Sequence, residues 1–304
     1  MKILITGSTG LVGTALTQDL QRAGHTVCRL VRPNTTTQSI GTSQGFDVNW
    51  NPAAGDRGGA AVGADAVINL AGASIADGRW TPQRKQLLRS SRVDTTRALV
   101  QALAKMSARP RVLVSASATG YYGNRGDETL TESSQPGNDF LSGIAKEWES
   151  EALKAEALGI RVVRARFGVI LSKRGGALPQ MMRPFQFFAG GKIGSGTQWL
   201  SWITLDDAVA ILRSALENAN ITGALNVVSP QPVTNAQFTN FLAAALHRPA
   251  LFPAPAFALR LILGEMADAL LLSSQRVLPA QLQKLNYQFQ HPDLPPALQS
   301  ILRA

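Results

Sequence analysis

The sequence is poor in the residues that build disulfide frameworks and metal centres. Its 304 residues include a single cysteine, Cys28, and three histidines, His25, His247 and His291. One cysteine cannot close an intrachain disulfide, and so few His and Cys ligands predict no zinc site or other metal centre. Cys28 falls inside a predicted strand, which indicates a buried, apolar-like thiol. We therefore expect no metal and a reducing, cytoplasmic setting.

Long hydrophobic runs are also missing. The most apolar late stretch, residues 256–272, is interrupted by Arg260, Glu265 and Asp268. It therefore predicts an amphipathic helix pair, because a membrane span needs about 20 mostly apolar residues. The chain opens on a predicted β-strand and not on a basic segment with an apolar run, so no signal peptide is predicted. No membrane partner is expected.

Acidic residues are outnumbered by basic ones. The chain has 20 Asp and Glu against 30 Lys and Arg, a formal net charge of +10. Nucleic acid rewards clustered Lys and Arg, but here the basic residues are dispersed. Arg161, Arg164 and Arg166 alternate along a predicted strand, where they would serve an anionic small ligand equally well. The charge thus favours a phosphorylated cofactor and a small-molecule substrate over nucleic acid.

Strands and helices alternate through the first two-thirds of the chain. This alternation predicts an α/β fold with a Rossmann-type, doubly wound parallel sheet, and ligands at the carboxyl ends of its strands. The predicted strands are Lys2–Thr6, Thr26–Val31, Phe46–Trp50 (inside a loop region at 34–63), Ala66–Leu70, Arg111–Ser115 and Ile160–Arg166. The main predicted helices are Gln83–Ala108, Phe140–Ala157 and Leu205–Ala219.

The composition of the sequence changes after residue 170, where glycine, proline and aromatic residues become frequent. Helical order returns near residue 205, and prolines punctuate the tail from residue 229. We predict an NADP-binding Rossmann domain of residues 1–170 plus about 203–228. A smaller C-terminal α/β substrate domain would comprise about 171–202 and 229–304, with the substrate in the cleft between the two.

A glycine-rich turn follows the first predicted strand and precedes an amphipathic helix. Glycines at this turn permit a tight bend, a close backbone approach to a pyrophosphate, and close packing of helix on strand. The helix N-terminus adds free N–H groups and a partial positive charge. The predicted dinucleotide site consists of Gly7, Ser8, Thr9, Gly10, Leu11, Val12 and Gly13.

The second predicted strand is followed by a basic residue, at the place where NAD-binding proteins carry an acidic residue that binds the ribose 2′-hydroxyl. Arg32 follows this strand, and its planar guanidinium can pair bidentately with a 2′-phosphate. Arg29 is a poorer candidate because strand alternation places it on the other face. We predict that NADP(H) binds more tightly than NAD(H).

Several further segments resemble the extended short-chain dehydrogenases/reductases, and more narrowly their atypical "epimerase family" group of nucleoside-diphosphate-sugar epimerase-like proteins. The segments are Asn69–Gly72, Ser115–Gly123, Gly190–Gly196 and Trp202–Asp207. The likeness extends over essentially the whole chain, tail included. It implies hydride transfer between a nicotinamide and a carbonyl, hydroxyl or sugar-nucleotide substrate, in a monomer or homodimer. With it we assign further cofactor contacts to Leu70, Ala71, Gly72, Ser115, Phe167, Gly168 and Lys146.

In the superfamily that this chain resembles, a Ser, a Tyr and a Lys carry the chemistry. Tyr moves a proton, Lys holds the ribose and lowers the Tyr pKa, and Ser hydrogen-bonds the substrate oxygen. The resemblance implies Ser117 and Lys146 as serine and lysine, but Ser142 stands where the tyrosine belongs. Three readings stay open. Tyr121 or Tyr122 supplies the proton, or Ser117, Lys146 and water suffice, or the protein binds NADP(H) without turnover as a regulatory or interaction protein.

Arg92 is a second departure from that resemblance, because related proteins carry a small amide residue there beside the cofactor. We place Arg92 among the cofactor residues, where it would bridge to the pyrophosphate. Two alternatives stay open: a contact with an acidic substrate, or a surface ion pair with Asp94 or Glu147.

Overall fold

A computed structural model describes residues 1–33, 45–52 and 63–303 of the chain. The strands, numbered in chain order, are β1 Lys2–Thr6, β2 Thr26–Val31, β3 Gly45–Asn49, β4 Ala66–Asn69, β5 Val112–Ala118, β6 Thr129–Leu130, β7 Arg161–Phe167, β8 Val169–Leu171, β9 Trp199–Leu200, β10 Trp202–Thr204, β11 Gly223–Val227, β12 Val233–Thr234 and β13 Arg276–Val277.

The helices follow the same chain-order numbering. They are α1 Leu11–Arg22, α2 Pro82–Ser90, α3 Val93–Ala104, α4 Phe140–Leu153, α5 Ala177–Gln186, α6 Leu205–Glu217, α7 Asn235–Leu246, α8 Ala256–Leu263, α9 Glu265–Ala267, α10 Ala280–Lys284 and α11 Leu294–Arg303.

The largest sheet has seven parallel strands in the spatial order β11-β7-β5-β4-β1-β2-β3. The chain starts in the interior of the sheet at β1, runs outward through β2 and β3, and then returns to β4 on the other side of β1. The topological switch point therefore lies between β1 and β4, where this class of sheet binds its ligand. The predicted doubly wound, Rossmann-type parallel sheet is confirmed.

Strand β1 shows why the sheet is buried on both faces. Ile3, Leu4 and Ile5 are all fully buried, although their side chains alternate between the two faces. Ile3 and Ile5 join a core with α1 and α6, whereas Leu4 joins a second core with α3 and α4. A continuous apolar run is the sequence that such a strand requires.

A third core lies outside the seven-stranded sheet. It joins α5, α7 and α11 around Trp202, which is fully buried. Three two-stranded sheets accompany it: β8 with β10, β9 with β12, and β6 with β13. The β6–β13 pair brings the C-terminal tail onto the segment that follows β5. The domain boundaries near residues 170, 203 and 228 remain a prediction, and α6 and β11 pack with the large sheet as that prediction requires.

The predicted single helix Gln83–Ala108 is wrong in one respect, because the structure divides it into α2 and α3. The break lies at Ser91 and Arg92, where Arg92 adopts φ −107° and ψ −62°. Ser91 Oγ accepts a hydrogen bond from the backbone of Ala73, so the loop after β4 docks at the break. A tertiary contact therefore interrupts a helix that local periodicity makes continuous.

Two other elements differ from their predicted bounds. β5 runs to Ala118 and not to Ser115, because β7 pairs with it as far as Phe167. This extension places Ser117 inside the strand. The predicted helix Phe140–Ala157 is α-helical only to Leu153 and continues as a 3₁₀ turn.

The tail and the loop near β3 complete the description. The stretch 256–272 forms α8, α9 and a π-helical turn. Across the described ranges, no helix combines the length and apolar character needed to cross a membrane. Of the predicted loop region 34–63, residues 34–44 and 53–62 lie outside the described residues.

Candidate functional site

The glycine loop between β1 and α1 is packed too closely for side chains at two of its positions. A Cβ at Gly13 would lie 2.2 Å from the carbonyl oxygen of Gly7, and one at Gly7 would lie 2.4 Å from that of Leu70. Gly7 also has φ +68°, a conformation that favours glycine. Gly10 is different, because its nearest neighbour would be 3.4 Å from an added Cβ. Gly10 therefore keeps the front of the loop open to a ligand.

The same loop holds a buried hydroxyl that lacks a partner. Ser8 is 2% exposed, and no described group hydrogen-bonds to its Oγ. A buried polar atom without a partner is rare and costs free energy. Gly10 is the N-cap residue of helix α1. No described side chain caps this helix, and its first turn contains no acidic residue. The cradle, the orphan hydroxyl and the open helix N-terminus together fit a ligand phosphate or pyrophosphate.

The segment before α5, in the C-terminal half of the chain, packs against the end of the glycine loop. A Cβ at Gly176, in the turn before α5, would lie 3.1 Å from Cδ2 of Leu11. Thr9 and Gly10 are exposed, and Val12 is half-buried. The turn at Gly176, which leads into α5 and the third core, therefore packs against the predicted dinucleotide loop at Leu11.

The loop after β4 is anchored by a buried polar network. Asn69 is fully buried, and its side-chain amide donates to Thr96 Oγ1 at 2.8 Å and to Ser115 Oγ at 3.1 Å. Its side-chain oxygen accepts from Thr6 Oγ1 at 2.7 Å. Thr96 also accepts from the indole of Trp148. Ser115 is thereby held in a structural network that joins β1, β4, β5 and α3, directly beneath Leu70, Ala71 and Gly72.

Ser117 is joined to a buried ion pair. Its Oγ donates to Glu149 Oε1 on α4 at 2.7 Å. Both oxygens of that carboxylate accept from Arg166 on β7, at 2.7 and 2.8 Å. Arg164 adds a further bond to Glu149 at 3.0 Å. Because the hydroxyl of Ser117 donates its hydrogen bond to the carboxylate, the lone pairs of Oγ remain available to accept a hydrogen bond from a ligand.

The guanidinium of Arg166 is 2% exposed and is held as a cation by these contacts. Burial opposes its charge, but hydrogen bonding to Glu149 and the charges around it outweigh burial and raise the pKa of Arg166. The expectation that Arg161, Arg164 and Arg166 serve an anionic ligand is therefore wrong. Arg164 and Arg166 bind Glu149, and Arg161 donates to backbone carbonyls near the end of α6.

The two candidate tyrosines have different surroundings. Tyr122 is fully buried, its hydroxyl donates to Asn226 Oδ1 at 2.6 Å, and it accepts from Arg166 at 2.9 Å. Burial raises the pKa of Tyr122 to about 12. Tyr121 is half-buried with its ring centroid 3.5 Å from the Arg166 guanidinium carbon, and no described residue hydrogen-bonds to its hydroxyl. Of the two phenols, only that of Tyr121 is available to a ligand.

Ser142 and Lys146 lie on the first two turns of α4. Ser142 is fully buried, and its Oγ donates back to Asp139, the residue that caps the helix. Its hydroxyl is thus used in the cap. Lys146 is exposed, one turn further along the helix. Because helical neighbours three or four residues apart share a face, Lys146 lies on the side of α4 that carries Glu149.

Arg92 lies beside the loop after β4. It donates to the carbonyls of Ala73 at 2.9 Å and of Leu88 at 3.0 Å, and its guanidinium carbon is 5.5 Å from the Trp148 ring centroid. A Cβ at Gly72 would lie 3.3 Å from that guanidinium carbon. The surface ion pairs considered for Arg92 are not formed.

The remaining assigned residues lie at the ends of β2 and β7. Arg32 is exposed directly after β2, whereas Arg29 pairs with Asp47 on β3 at 2.6 Å. Phe167 packs partly buried at the end of β7. A Cβ at Gly168 would lie 2.6 Å from the carbonyl oxygen of Ser201, so this turn also admits only glycine.

Sequence reasoning missed the residues that hold the candidate catalytic groups. Glu149 appears in the sequence as an ordinary helical glutamate, and Asn226 lies in β11, a strand that was not predicted. The alternation of Arg164 and Arg166 was the available signal, because cations facing inward from a buried strand need an acid opposite them. Nothing local indicates which acid that is.

The comparisons with known proteins identify the family of the chain. Residues 3–227 match the NAD dependent epimerase/dehydratase family, and residues 254–301 match a domain of unknown function (DUF1731). The chain is 41% identical to the epimerase family protein Mb2239 of Mycobacterium bovis, over 97% of this chain and 96% of the relative. It is 42% identical to the epimerase family protein YfhF of Bacillus subtilis, over 99% of this chain and 98% of the relative.

Solved structures give the same result. The human epimerase family protein SDR39U1 (isoform2), crystallised with NADPH, matches with a TM-score of 0.88 and 33% identity, over 100% of this chain and 99% of that one. A UDP-glucuronic acid 4-epimerase from Bacillus cereus, in complex with NAD, matches with a TM-score of 0.78 at 17% identity and shows a shared fold. The resemblance found in the sequence is confirmed, and the chain belongs to the NAD dependent epimerase/dehydratase family.

Proposed function

We propose that this protein binds NADP(H) and transfers hydride between the nicotinamide and a small-molecule carbonyl, hydroxyl or sugar-nucleotide substrate. The observation that carries the proposal is the glycine cradle, with the unpartnered Ser8 hydroxyl buried inside it. Gly7, Gly10 and Gly13 would receive the pyrophosphate, and Ser8 would donate to it. The NADPH bound to the human relative supports the choice of cofactor.

Arg32 is the residue that would distinguish NADP(H) from NAD(H). It is exposed at the carboxyl end of β2, where the adenosine ribose lies in this fold. Arg29 is already paired with Asp47 on the neighbouring strand. Arg32 is therefore the better guanidinium of the two for a 2′-phosphate.

The nicotinamide, when bound, supplies or accepts the hydride. Ser117 would orient the substrate by accepting a hydrogen bond from its hydroxyl, because its own proton is donated to Glu149. Tyr121 would move the proton, since its phenol has no described partner and its ring stacks on Arg166, which shares Glu149 with Ser117. Lys146 would hold the ribose hydroxyls from α4. Leu70, Ala71, Phe167 and Gly168 would line the cofactor along the strand ends.

The composition supports a cytoplasmic protein that acts on a small molecule, and we place it as a monomer or homodimer by its family resemblance. Cys28, the only cysteine of the chain, is a buried free thiol, as a reducing compartment allows. Most of the described Lys and Arg side chains form ion pairs or donate hydrogen bonds to backbone carbonyls, which argues against a nucleic-acid surface.

A second candidate is an NADP(H)-binding protein without turnover, acting in regulation or interaction. One observation favours it. Ser142, which stands where the superfamily tyrosine belongs, and Tyr122, one of the two candidate donors, both have their hydroxyls bonded to internal partners, so neither is free to move a proton. This candidate shares the cofactor site and differs only in chemistry.

Two measurements test the proposal in sequence. Fluorescence titration with NADPH and NADH should show binding, with NADPH tighter. Absence of binding by either nucleotide would reject both candidates. Sugar nucleotides and simple secondary alcohols that carry deuterium on the hydroxyl-bearing carbon are then incubated with the NADP⁺ complex. Deuterium in the recovered cofactor demonstrates hydride transfer, whereas unlabelled cofactor with every substrate favours the non-catalytic candidate.

A further inference from the structure

The starting observation is a half-buried cation with no acid beside it. Two of the five N–H groups of the Arg92 guanidinium bond backbone carbonyls, those of Ala73 and Leu88. Within the described residues no carboxylate lies within ion-pair distance of Arg92. The two acids considered above as partners of Arg92 are used elsewhere: Asp94 pairs with Arg97, and Glu147 pairs with Arg89.

A second arginine increases the positive charge at this place. Arg84 on α2 donates to the carbonyl of Ser74, in the same loop, and its nearest acid is the exposed Asp77 at 4.0 Å. Its Nε is buried and has no partner among the described groups. Burial and the neighbouring charge of Arg84 lower the pKa of Arg92 to about 10. Two guanidiniums thus share one loop with little compensating negative charge.

Such an arrangement is costly unless an anion completes it. A buried charge without a counter-charge is destabilising, and two like charges add to the cost. Guanidinium groups bind carboxylates and phosphates through parallel N–H donors, and three N–H groups of Arg92 are still available. The ligand that best relieves this site is therefore an oxyanion.

Arg92 lies on a different loop from the pyrophosphate cradle and from Arg32. The pyrophosphate cradle lies at the β1–α1 turn, and Arg32 lies after β2 on the far side of β1. Arg92 lies beside Gly72 and Ala73, after β4, and against Trp148 on α4. In a doubly wound fold, the strands beyond the switch point carry the nicotinamide and the substrate.

The C-terminal tail meets the protein at the same loop. Arg79 donates to the carbonyl of Leu261 on α8 at 3.4 Å. Lys85 on α2 forms an ion pair with Glu265 on α9. These contacts place the helices α8 and α9 beside the loop that Arg84 and Arg92 hold, at a junction between the two parts of the chain, where a substrate cleft is expected.

We propose that Arg92, supported by Arg84, is the receptor for an oxyanion on the substrate, a carboxylate or a phosphate, and is not a cofactor residue. The proposal rests on the proposed function, because it takes the bound NADP(H) as the partner of that substrate. It narrows the substrate class to anionic carbonyl or hydroxyl compounds and assigns Arg92 to substrate specificity.

The test uses thermal unfolding of the full chain saturated with NADPH, so that the glycine cradle and Arg32 are occupied. Sodium phosphate or sodium malonate replaces sodium chloride at constant ionic strength. Binding to the folded state alone raises the melting temperature by mass action, and we expect a rise of about 2 °C at tenfold saturation. The oxyanion that gives the larger rise identifies the headgroup.

Arg92→Met should abolish this rise, and Arg92→Lys should retain part of it. The matched control is Arg89→Met, three residues earlier in the last turn of α2, whose charge is paired with Glu147 at the surface. Arg89→Met should leave the anion-induced rise unchanged. Arg84→Met, which keeps Arg92, should reduce the rise and provides a second variant if Arg92→Met does not fold.

Two results would overturn the proposal. One is an anion-induced rise that persists in Arg92→Met. The other is a loss of NADPH affinity of tenfold or more in Arg92→Met, because that would return Arg92 to the cofactor. Failure of the wild-type protein to bind NADPH is a different outcome, since it rejects the proposed function before the anion is tested.

Discussion

Ser117 Oγ donates a 2.7 Å hydrogen bond to Glu149, and Arg166 on β7 donates two hydrogen bonds to the same carboxylate. This relationship fixes the direction of the serine's hydrogen bond. It also links the candidate catalytic strand β5 to α4 and β7 through charges that are almost completely buried. The first prediction follows from that burial.

Glu149→Gln should destabilise the fold strongly, because it leaves Arg166 and Arg164 buried without a full negative charge. Breaking one partner out of a buried pair costs about 3–5 kcal/mol. Urea unfolding followed by circular dichroism measures the loss. Glu147→Gln, two residues earlier on α4, breaks an exposed pair with Arg89 and should cost less than about 1 kcal/mol. Equal losses in the two variants would show that the buried pair contributes nothing special.

Gly13→Ala and Gly10→Ala should separate folding from cofactor binding. An added Cβ at Gly13 would lie 2.2 Å from a backbone oxygen, so this variant should lose both stability and NADPH binding. At Gly10 an added Cβ meets nothing closer than 3.4 Å and the backbone is extended, so stability should be kept. NADPH affinity should nevertheless fall at least tenfold, because the methyl group would stand where the pyrophosphate approaches. If Gly10→Ala binds NADPH normally, the pyrophosphate does not lie there.

Arg32→Ala should weaken NADPH binding by about 10- to 100-fold, since a hydrogen-bonded charge pair is worth about 1.5–3 kcal/mol. Affinity for NADH, which lacks the 2′-phosphate, should change less than twofold. Fluorescence titration of both nucleotides gives the two values. Arg29→Ala is the control, because it removes a guanidinium from the same strand that is already bound to Asp47. It should affect both nucleotides alike, and a selective loss of NADPH there would assign the phosphate to Arg29.

Tyr121→Phe and Tyr122→Phe should have opposite consequences. Tyr121→Phe keeps the aromatic stack on Arg166 and removes a phenol without an internal partner, so stability should be unchanged while hydride transfer slows. Tyr122→Phe removes buried bonds to Asn226 and Arg166 and should cost about 1–3 kcal/mol. Calorimetry and the deuterium-transfer assay measure the two effects. Unchanged transfer in Tyr121→Phe would dismiss that residue as the proton donor.

Alkaline pH should destabilise the wild-type protein partly through Tyr122. Burial raises the pKa of Tyr122 to about 12 from an ordinary value of 10.0, so the folded state holds this proton more tightly than the unfolded state. The stability it contributes is present below pH 10 and is lost as the pH rises from 10 to about 12. The decline in unfolding free energy over this range should be shallower in Tyr122→Phe. Cys28 and Tyr287 titrate nearby in both proteins and cancel in the comparison.

Much of the large sheet was predictable, because six of its seven strands are locally distinctive, whereas β11 was not among the predicted strands. β1 is buried on both faces and is an unbroken apolar run, and a glycine-rich turn and an amphipathic helix follow it. The break between α2 and α3 was not predictable, because it comes from the docking of Ala73 onto Ser91. The bounds of β5 depended likewise on its pairing with β7.

The sequence by itself determined the fold class, the family resemblance and the position of the glycine loop, because apolar periodicity, family motifs and glycine spacing are local properties of a chain. Only the tertiary structure decided what the polar candidates do. Arg166 acquired an acid from a helix 17 residues away, Tyr122 was committed to Asn226 104 residues away, and Arg92 was left without an acid. Hydrogen bonds and ion pairs between distant residues depend on how elements pack, and that information is absent from any local pattern.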